Sequence, residues 1–366
     1  MNKILISLSV PVYGTESTLP VLLDSILEQQ PLPESSVQEG ASFLTKEASL
    51  RSLRFPPIEI LIADDGSPGG KALPQILKSY TKALKKLGVH LELFKHGANL
   101  GTLEARRTLA ENARGEYIFF VDPDDTLPPD TLPLLIRALS ESSDGEHSGT
   151  MGNCGADIIH GSMDVFVNNP NPDDPIFKEK YEALVHKVRK VHTGRLEGNA
   201  VLKNLLIEEG HNSLICGKLI KTSLVRKAYE KIPHTFCTMA EDFLLYFFIA
   251  LQNPSYYGID TIIYNYYNDA GITSKAEISN LERWEKACSA ASVFTVIFLY
   301  LEEHPLDSPR AAEYRKAIAE RCTSHLVSNI RHLERVTPSL REEAYAMLCG
   351  YWGEDYVKQV EKALHK

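Results

Sequence analysis

Three carboxylates, Asp122, Asp124 and Asp125, follow directly on the apolar run at residues 118–121. Acids this close repel one another, so ionising all of them is unfavourable unless something positive offsets the repulsion. A carboxylate pair at the end of a strand suits a hard divalent cation such as Mg²⁺ or Mn²⁺. Such a cation can hold a diphosphate and stabilise a departing phosphate oxygen. The alternative is a solvated turn that caps a helix near residues 129–130, because Asp-Xaa-Asp is short and common.

The turn at residues 9–17, SVPVYGTES, carries a second set of side chains that could bind a ligand. Pro11 and Gly14 fix the bend. Tyr13 can stack on a base, and Glu16 can cap the following helix or reach a nucleotide. A Pro-Tyr-Gly segment taken alone is more often only a turn.

A third polar turn, IADDGSPGG, spans residues 62–70. Its acceptors Asp64 and Asp65 close an apolar run, and one carboxylate could read a base N–H while the other anchors the loop. This segment too, by itself, is more often a turn than a site.

The elements that must position these turns alternate regularly over residues 1–140. Strands that are apolar throughout and alternate with helices imply a parallel sheet covered on both faces. Open sheets of this kind bind ligands beyond the carboxyl ends of their strands, where the polar turns lie. The predicted strands are 3–10, 58–64, 89–96 and 116–122, and the predicted helices are 17–29, 71–88, 101–115 and a helix start at 129–142.

The alternation is interrupted by residues 31–57, which we interpret as a surface insertion with a short helix near 43–54, and it weakens after residue 143. We predict a domain at 1–275, made of halves 1–140 and 141–275, and a helical region at 276–366. The later predicted elements are one or two strands at 156–169, a strand and helix at 213–232, a buried helix at 238–252, a strand at 260–267, and three helices of a separate bundle at 279–364.

Composition narrows the class of protein. The net charge of −9 argues against nucleic acid as the main ligand, which needs a dense basic face. Six scattered cysteines without a CxxC pair are typical of reduced thiols in a cytosolic protein. The N-terminus does not have the pattern of a signal peptide. No run reaches the roughly 18–20 apolar residues of a membrane span, and 243–251 and 289–301 are better interpreted as buried helix.

Taken together, the turns resemble a known family. The order LSVPVYGTE, IEILIADDGS, NLGTLEAR and ARGEYIFFVDPDD is similar to the GT-A nucleotide-sugar glycosyltransferases of family 2. The resemblance covers residues 4–140 closely and resumes more weakly at 213–274. It implies an α/β fold with a Rossmann-like, mostly parallel sheet flanked by helices, followed here by a C-terminal helical region.

The resemblance also implies roles in donor binding. The Val12 backbone and Tyr13 would hold the nucleobase, usually uracil, with Pro11 and Glu16 nearby. Asp65 would accept the base N3–H while Asp64 supports the loop. In the Asp122-Pro123-Asp124 segment, Asp122 would contact the ribose or the metal, and Asp124 would be the direct Mn²⁺ or Mg²⁺ ligand. Arg106 would join this set, but Arg107 stands where the family often has Asn, which leaves the role of the pair open.

A later match, AEDFLLYFF, implies the catalytic base. Family members often carry Glu-Asp at a helix start, and the second acid, here Asp242, would remove the acceptor proton. A helix N-terminus keeps such a carboxylate ionised, although first-turn acids can also merely complement the dipole. Glu241, Asp125 and Lys218 are predicted auxiliary or acceptor-side residues, with a surface position an equal alternative for Lys218. The usual Arg near Asn268 is missing, so no phosphate contact is predicted there, and Thr273 and Ser274 are assigned to a closing loop.

Two alternatives stay open. The segment FFVDPDDTL also fits the first motif of haloacid-dehalogenase-type phosphatases, with Asp122 as nucleophile and Asp124 as acid/base. That motif normally lies on the first strand of its domain, whereas three predicted strands precede it here. A catalytically silent nucleotide-sugar-binding protein is the second alternative, and the intact Asp124 and Asp242 argue against it.

The sequence therefore predicts an inverting glycosyltransferase that uses a UDP-sugar and Mn²⁺ or Mg²⁺. The acceptor would be a glycan, lipid-linked or protein-linked, in a surface-polysaccharide setting that only the resemblance supports. The predicted location is cytoplasmic, with peripheral docking at the inner face of a membrane and homo-oligomer formation as two options for the C-terminal helices.

Overall fold

The structure is a computed structural model that describes residues 4–29, 57–69, 71–143, 155–167, 175–268 and 277–364. Nearly all of the predicted insertion at 31–57 lies outside these residues, as do Thr273 and Ser274 of the predicted closing loop.

The described residues of the first half contain four strands and four helices at the places that the sequence predicts, with bounds shifted by a few residues. β1, β2 and β4 are fully buried, which explains their uninterrupted apolar character. β1 lies between β2 and β4 and is parallel to both, and β3 pairs parallel with β2. The elements are β1 Ile6–Val12, α1 Leu19–Leu27, β2 Ile58–Asp64, α2 Leu73–Lys86, β3 His90–Lys95, α3 Thr102–Asn112, β4 Tyr117–Phe120 and α4 Thr131–Glu141.

The second half extends the same sheet to eight strands in the order β3-β2-β1-β4-β7-β5-β8-β6. The elements are β5 Ile158–Phe166, α5 Pro175–Val188, β6 Gly194–Glu197, α6 Asn199–Lys203 with a π-helical turn at Asn204–Glu208, β7 Lys218–Lys221, α7 Thr222–Tyr229, α8 Glu241–Ala250 and β8 Ser255–Tyr267. The prediction of an α/β fold with a mostly parallel sheet is confirmed.

β7 is the strand that joins the two halves, and it runs antiparallel to both β4 and β5. Its register pairs Phe119 with Leu219 and Tyr117 with Lys221. The beginning of β7 therefore lies beside the carboxyl end of β4, and the loop at residues 212–217, which precedes β7, reaches the edge of the sheet that carries the polar turns.

The described part of the C-terminal region contains five α-helices rather than the three predicted. The extra breaks occur at Ser289, between two helices, and at Gly353, whose φ of 85° is unfavourable for other residues. The elements are α9 Leu281–Cys288, α10 Ala290–Glu303, α11 Ala311–Leu333, a 3₁₀ turn at Pro338–Leu340, α12 Arg341–Trp352 and α13 Glu354–Leu364.

The C-terminal helices pack with one another, as the hydrogen bond from Trp284 of α9 to the Ala344 carbonyl of α12 shows, and they also contact the sheet domain. Phe294 of α10 stacks near Phe243 of α8 at a centroid distance of 6.1 Å, and Arg321 of α11 donates to the Leu205 carbonyl at 3.0 Å. Among the described residues, the stretch Leu281–Glu303 is long and apolar enough to cross a membrane, but 56% of its most apolar window is buried inside the fold. Burial against α8, α11 and α12 accounts for that apolar character.

Candidate active site

The ends of β1, β2 and β4 bring the three polar turns to one edge of the sheet. Val12 lies opposite Asp64 in the parallel pairing of β1 and β2, and the Asp65 N–H donates to the Val12 carbonyl at 2.8 Å. On the other side of β1, the Val121 N–H donates to the Ser9 carbonyl at 3.0 Å. Carboxyl ends of parallel strands collect ligand-binding groups in this way.

The turn after β1 is tied to the turn after β2. The Gly14 N–H donates to Ser67 Oγ at 3.1 Å, and Glu16 lies against Gly69, where an added Cβ would approach Glu16 Oε1 to 2.9 Å. Glu16 Oε1 is buried and accepts no hydrogen bond from the described residues. Tyr13 faces α9, and its hydroxyl lies 3.4 Å from Glu282 Oε1. Pro11 and Val12 belong to β1 itself, so this turn begins with Tyr13.

Asp65 anchors the loop between β3 and α3. Its Oδ1 accepts the Leu100 N–H at 2.9 Å and lies 2.7 Å from His96 Nδ1, while its Oδ2 accepts the Gly101 N–H at 2.8 Å. The residue is 2% exposed, so a carboxylate with three internal partners is committed to the loop.

Asp64 has fewer internal partners than Asp65. Its Oδ1 accepts the Ser67 N–H at 2.9 Å, and its other oxygen accepts no hydrogen bond from the described residues. Asp64 thus supports its own turn through Ser67, whereas Asp65 anchors the separate loop between β3 and α3.

The acids that follow β4 have different partners: Asp125 binds β8, and Asp122 pairs with Arg106. Asp125 is buried and bound to β8, where its Oδ2 accepts from the Tyr264 hydroxyl at 2.7 Å and its Oδ1 accepts the Tyr267 N–H at 2.7 Å. The Tyr264 hydroxyl also accepts the Asp122 N–H at 3.0 Å. Asp125 therefore shapes the turn, which was one of the roles left open for it.

Asp124 is the acid of this cluster whose carboxylate accepts no hydrogen bond from another described residue. Burial and the neighbouring charge of Asp122 raise the pKa of Asp124 to about 6. Within the described ranges, no group of three or more His, Cys, Asp or Glu side chains converges on one point as a complete metal site. Asp122, which also pairs with Arg106, and Asp124 offer a pair of hard oxygen donors, and such a pair fits a Mg²⁺ or Mn²⁺ ion whose remaining ligands come from a diphosphate or water.

Arg106 supplies the positive charge that offsets the acids. It lies on α3, is 2% exposed, and its Nη2 donates to Asp122 Oδ1 at 2.9 Å. Its Nη1 donates to Glu241 Oε1 at 3.3 Å and to Asp242 Oδ1. Burial opposes the charge, but the carboxylates of Asp242 and Asp122 outweigh it and raise the pKa of Arg106 well above its ordinary value. A residue expected at the donor is thus the link between the acids of β4 and those of α8.

Glu241 and Asp242 form the first turn of α8, as the sequence predicted. Burial and the charge of Asp242 raise the pKa of Glu241 to about 7. Burial also raises the pKa of Asp242, although Arg106 counteracts it. Arg106 is the cation shared by three carboxylates, and the pKa values of Glu241 and Asp242 are above those of exposed acids. Ala240, which precedes α8, adopts a left-handed φ of 63°, a conformation unfavourable for a residue with a Cβ.

Lys218 is fully buried rather than on the surface. Its Nζ donates to Asn212 Oδ1 at 2.8 Å and to the Leu214 carbonyl, and it lies 4.8 Å from the centre of the Tyr246 ring. Burial lowers the pKa of Lys218 to about 7. The same loop directs a backbone N–H of Ile215 at Asp242, so Lys218 supports a segment that contacts the predicted base.

Arg107, where the family often has Asn, is a packing residue. It pairs with Glu104 and donates to the carbonyls of Tyr229 at 2.7 Å and Ile232 at 2.9 Å, beyond the active edge. Sequence reasoning missed three contributors, Tyr264, Glu282 and Lys286. Tyr264 lies within residues 213–274, where the resemblance to the family resumes, so a signal exists for this residue, whereas α9 offers none.

The fold and the site define a class: an α/β protein with clustered acids at the carboxyl ends of the strands of its sheet. In comparison with known proteins, residues 7–156 match the model of the family Glycosyl transferase family 2.

Curated relatives are glycosyltransferases by name. The chain is 30% identical over 139 residues to EpsH of Bacillus subtilis (strain 168), covering 38% of this chain and 31% of EpsH. It is 28% identical over 136 residues to the glycosyltransferase GlyA of Streptococcus pneumoniae serotype 4, covering 37% of this chain and 15% of GlyA. The matched segment spans less than a third of either relative.

Among solved structures, S. aureus TarS residues 1–349, crystallised in complex with UDP-GlcNAc, superposes with a TM-score of 0.54 at 18% identity. The superposition covers 99% of this chain and 92% of that one, so the likeness in fold extends beyond the family 2 segment into the C-terminal helices.

Proposed function

We propose that this protein is an inverting glycosyltransferase that transfers a sugar from a UDP-sugar to a carbohydrate-type acceptor in the cytoplasm. One observation carries the proposal: Arg106 joins Asp122, beside the free carboxylate of Asp124, to Glu241 and Asp242 at the start of α8. A donor-side acid pair and a candidate base are thereby held next to each other at the ligand-binding edge of the sheet.

The donor would lie across the turns that follow β1, β2 and β4. Tyr13 would stack on the base, and the available oxygen of Asp64 is a better acceptor for a base N–H than Asp65, whose oxygens are engaged in the loop. Asp122 and Asp124 would hold a divalent cation, which would supply charge stabilisation for the diphosphate as it leaves.

Asp242 would act as the general base. As an acceptor hydroxyl attacks the anomeric carbon, its proton passes to the Asp242 carboxylate, a new C–O bond forms, and the bond from that carbon to the diphosphate oxygen breaks with its electron pair. Attack from the side opposite the diphosphate inverts the configuration. The raised pKa of Asp242 favours this role, and Arg106 fixes the carboxylate while leaving its side chain 21% exposed.

The first experiment is a binding panel. We expect calorimetry with UDP, GDP and CMP in the presence of Mn²⁺ to show binding of UDP, and a slow release of UDP from a UDP-sugar with water as acceptor. If the wild-type protein binds none of the three nucleotides, the proposal fails.

The second experiment tests the base. Asp242→Asn should slow UDP release by about 10²- to 10⁴-fold, because general-base catalysis contributes on that order, while the Kd for UDP changes less than about twofold. Asp355→Asn, at the first turn of the distant α13, is the matched control. Wild-type turnover by Asp242→Asn would remove Asp242 from the mechanism. A phosphatase activity on p-nitrophenyl phosphate that Asp122→Asn abolishes would instead support the phosphatase alternative.

Membrane docking and homo-oligomer formation through the C-terminal helices stay sequence-based predictions.

A further inference from the structure

Tyr13, the predicted stacking residue, is held by a helix that lies outside the family 2 segment. Lys286 Nζ of α9 lies 4.6 Å from the centre of the Tyr13 ring, which is a cation–π contact. The Tyr13 hydroxyl is 3.4 Å from Glu282 Oε1, and Lys286 Nζ donates to that same oxygen at 2.9 Å. Two side chains one helical turn apart therefore engage one face and the hydroxyl of the ring.

The burial of Lys286 shows that this contact is not a loose surface encounter. The Lys286 side chain is 15% exposed, whereas that of its partner Glu282 is 65% exposed. A lysine in an ordinary i, i+4 surface pair keeps its ammonium in water. Here the side chain is largely covered, and its ammonium lies against one face of the Tyr13 ring.

α9 is held in place by a hydrogen bond to α12 and by its own N-cap. Trp284 is fully buried and its Nε1 donates to the Ala344 carbonyl of α12 at 2.8 Å. Asn280 caps the helix by accepting the Arg283 N–H at 2.8 Å. The helix is thus fixed on the side away from Tyr13, as a positioning element must be.

The C-terminal end of α9 lies beside the segment that leads into the acids of α8. Ser289 Oγ, directly after the helix, accepts the Thr238 N–H at 3.2 Å. Thr238 precedes the strained Ala240 and the acid pair at the start of α8 by a few residues. One helix therefore contacts both the turn expected to hold the base and the segment that leads into the predicted catalytic acids.

We propose that α9 is a positioning element of the donor site and that Lys286 fixes the plane of the Tyr13 ring on which the nucleobase stacks. This inference depends on the proposed function, since it assigns the base-binding end of the same site. Lys286 acts through Tyr13 and does not touch the nucleotide.

The test is calorimetric binding of UDP and of uridine to the full chain with Mn²⁺ present. Lys286→Met should weaken both ligands by the same factor, about 3- to 10-fold, the scale of a partly desolvated cation–π contact. Lys286→Arg, which can keep the cation on the ring, should stay within about twofold of wild type. Lys316→Met is the control, since Lys316 of α11 is 78% exposed and pairs with Glu320. The Tm of each variant shows whether it is folded.

A double-mutant cycle separates positioning from direct contact. In a Tyr13→Ala background, Lys286→Met should cause no further loss of UDP affinity. The inference is overturned if Lys286→Met binds UDP as wild type does, if its effect persists undiminished without Tyr13, or if UDP is weakened but uridine is not. These outcomes leave the proposed function intact, whereas a wild-type protein that binds no nucleotide would overturn both.

Discussion

The loop anchored by Asp65 and the acid cluster around Arg106 are both built from buried charges, but their partners balance differently. In the loop, one carboxylate accepts from two backbone N–H groups and lies against His96, so its hydrogen-bonding capacity is largely used. In the cluster, one guanidinium serves Asp122, Glu241 and Asp242, and the carboxylate of Asp124 is left over. The hydrogen bonds of the loop carboxylate are satisfied within the protein, whereas the carboxylates of the cluster have too little positive charge nearby to neutralise them.

This difference separates a carboxylate that supports the fold from carboxylates that can bind a ligand or transfer a proton. A carboxylate stabilised by several donors holds its loop and gains nothing from a ligand. Carboxylates that share too little positive charge have raised pKa values, as those of Asp124 and Glu241 do, and binding a cation or transferring a proton relieves them. Three sets of variants test this difference between the loop and the cluster.

The largest expected effect comes from removing the shared cation. Arg106→Met should lower the free energy of unfolding at pH 8 by about 3–5 kcal/mol, because it leaves buried carboxylates unpaired. The folded-state pKa values of Glu241 and Asp242 are already raised, and without the guanidinium they rise further above their unfolded values. The loss should therefore be smaller at pH 5, where the acids take up protons, than at pH 8.

Urea denaturation at both pH values measures this effect. Arg137→Met is the control, since Arg137 of α4 pairs with Glu141 on the surface and is 61% exposed. An equal and small loss for both variants at both pH values would mean that Arg106 is not the charge on which the cluster depends.

The next test contrasts two adjacent acids. Asp65→Asn should cost about 1.5–3 kcal/mol of stability, the scale of hydrogen bonds to a charged group, because the loop loses its carboxylate anchor. Asp64→Asn should cost less stability but weaken UDP binding by about 10-fold, since its available oxygen is the proposed base acceptor. Denaturation and calorimetry on both variants decide the matter, and the reverse pattern would restore the assignment made from the sequence.

The smallest expected effect is a pH dependence of stability from Glu241. Its folded-state pKa is about 7, above the ordinary 4.5, so its contribution to stability is full below pH 4.5 and is lost as the pH rises through 7. Without ligands, wild type should lose about 1–2 kcal/mol across this window relative to Glu241→Gln, less than a full shift implies because Asp242 shares the charge. Glu320→Gln on the exposed side of α11 is the control. Parallel pH curves for wild type and Glu241→Gln would contradict the raised pKa.

Much of the fold was predictable because the signals are local. The apolar runs of β1, β2 and β4 and the turn residues between them lie within short windows, and the bounds differ from the structure by a few residues. The number of C-terminal helices was wrong because the backbone at Ser289 stays helical through the break, so no strong stop signal marks it. Gly353 did offer one, as glycine commonly ends a helix.

The site was predictable only as a set of turns. Arg106 and Asp242 are 136 residues apart, and their contact depends on how α3 and α8 pack. The contact of Lys286 with Tyr13 could not be predicted for the same reason, because the two residues are 273 positions apart and Lys286 lies in a segment with an ordinary helical pattern. Sequence order indicated that Asp64 and Asp65 were important, but the division of labour between them is a matter of side-chain direction, which periodicity does not encode.

The reversed direction of β7 has a consequence for how variation in this protein should be explored. In a parallel strand, the loop after the strand faces the ligand, but here the segment before β7, residues 212–217, is the one at the active edge. A library intended to vary this edge of the site would therefore randomise the half-buried Ser213 and Leu214 and spare the buried residues 215–217 and the start of α7. Loops from homologous proteins could replace residues 212–217, with the buried Lys218 left unchanged.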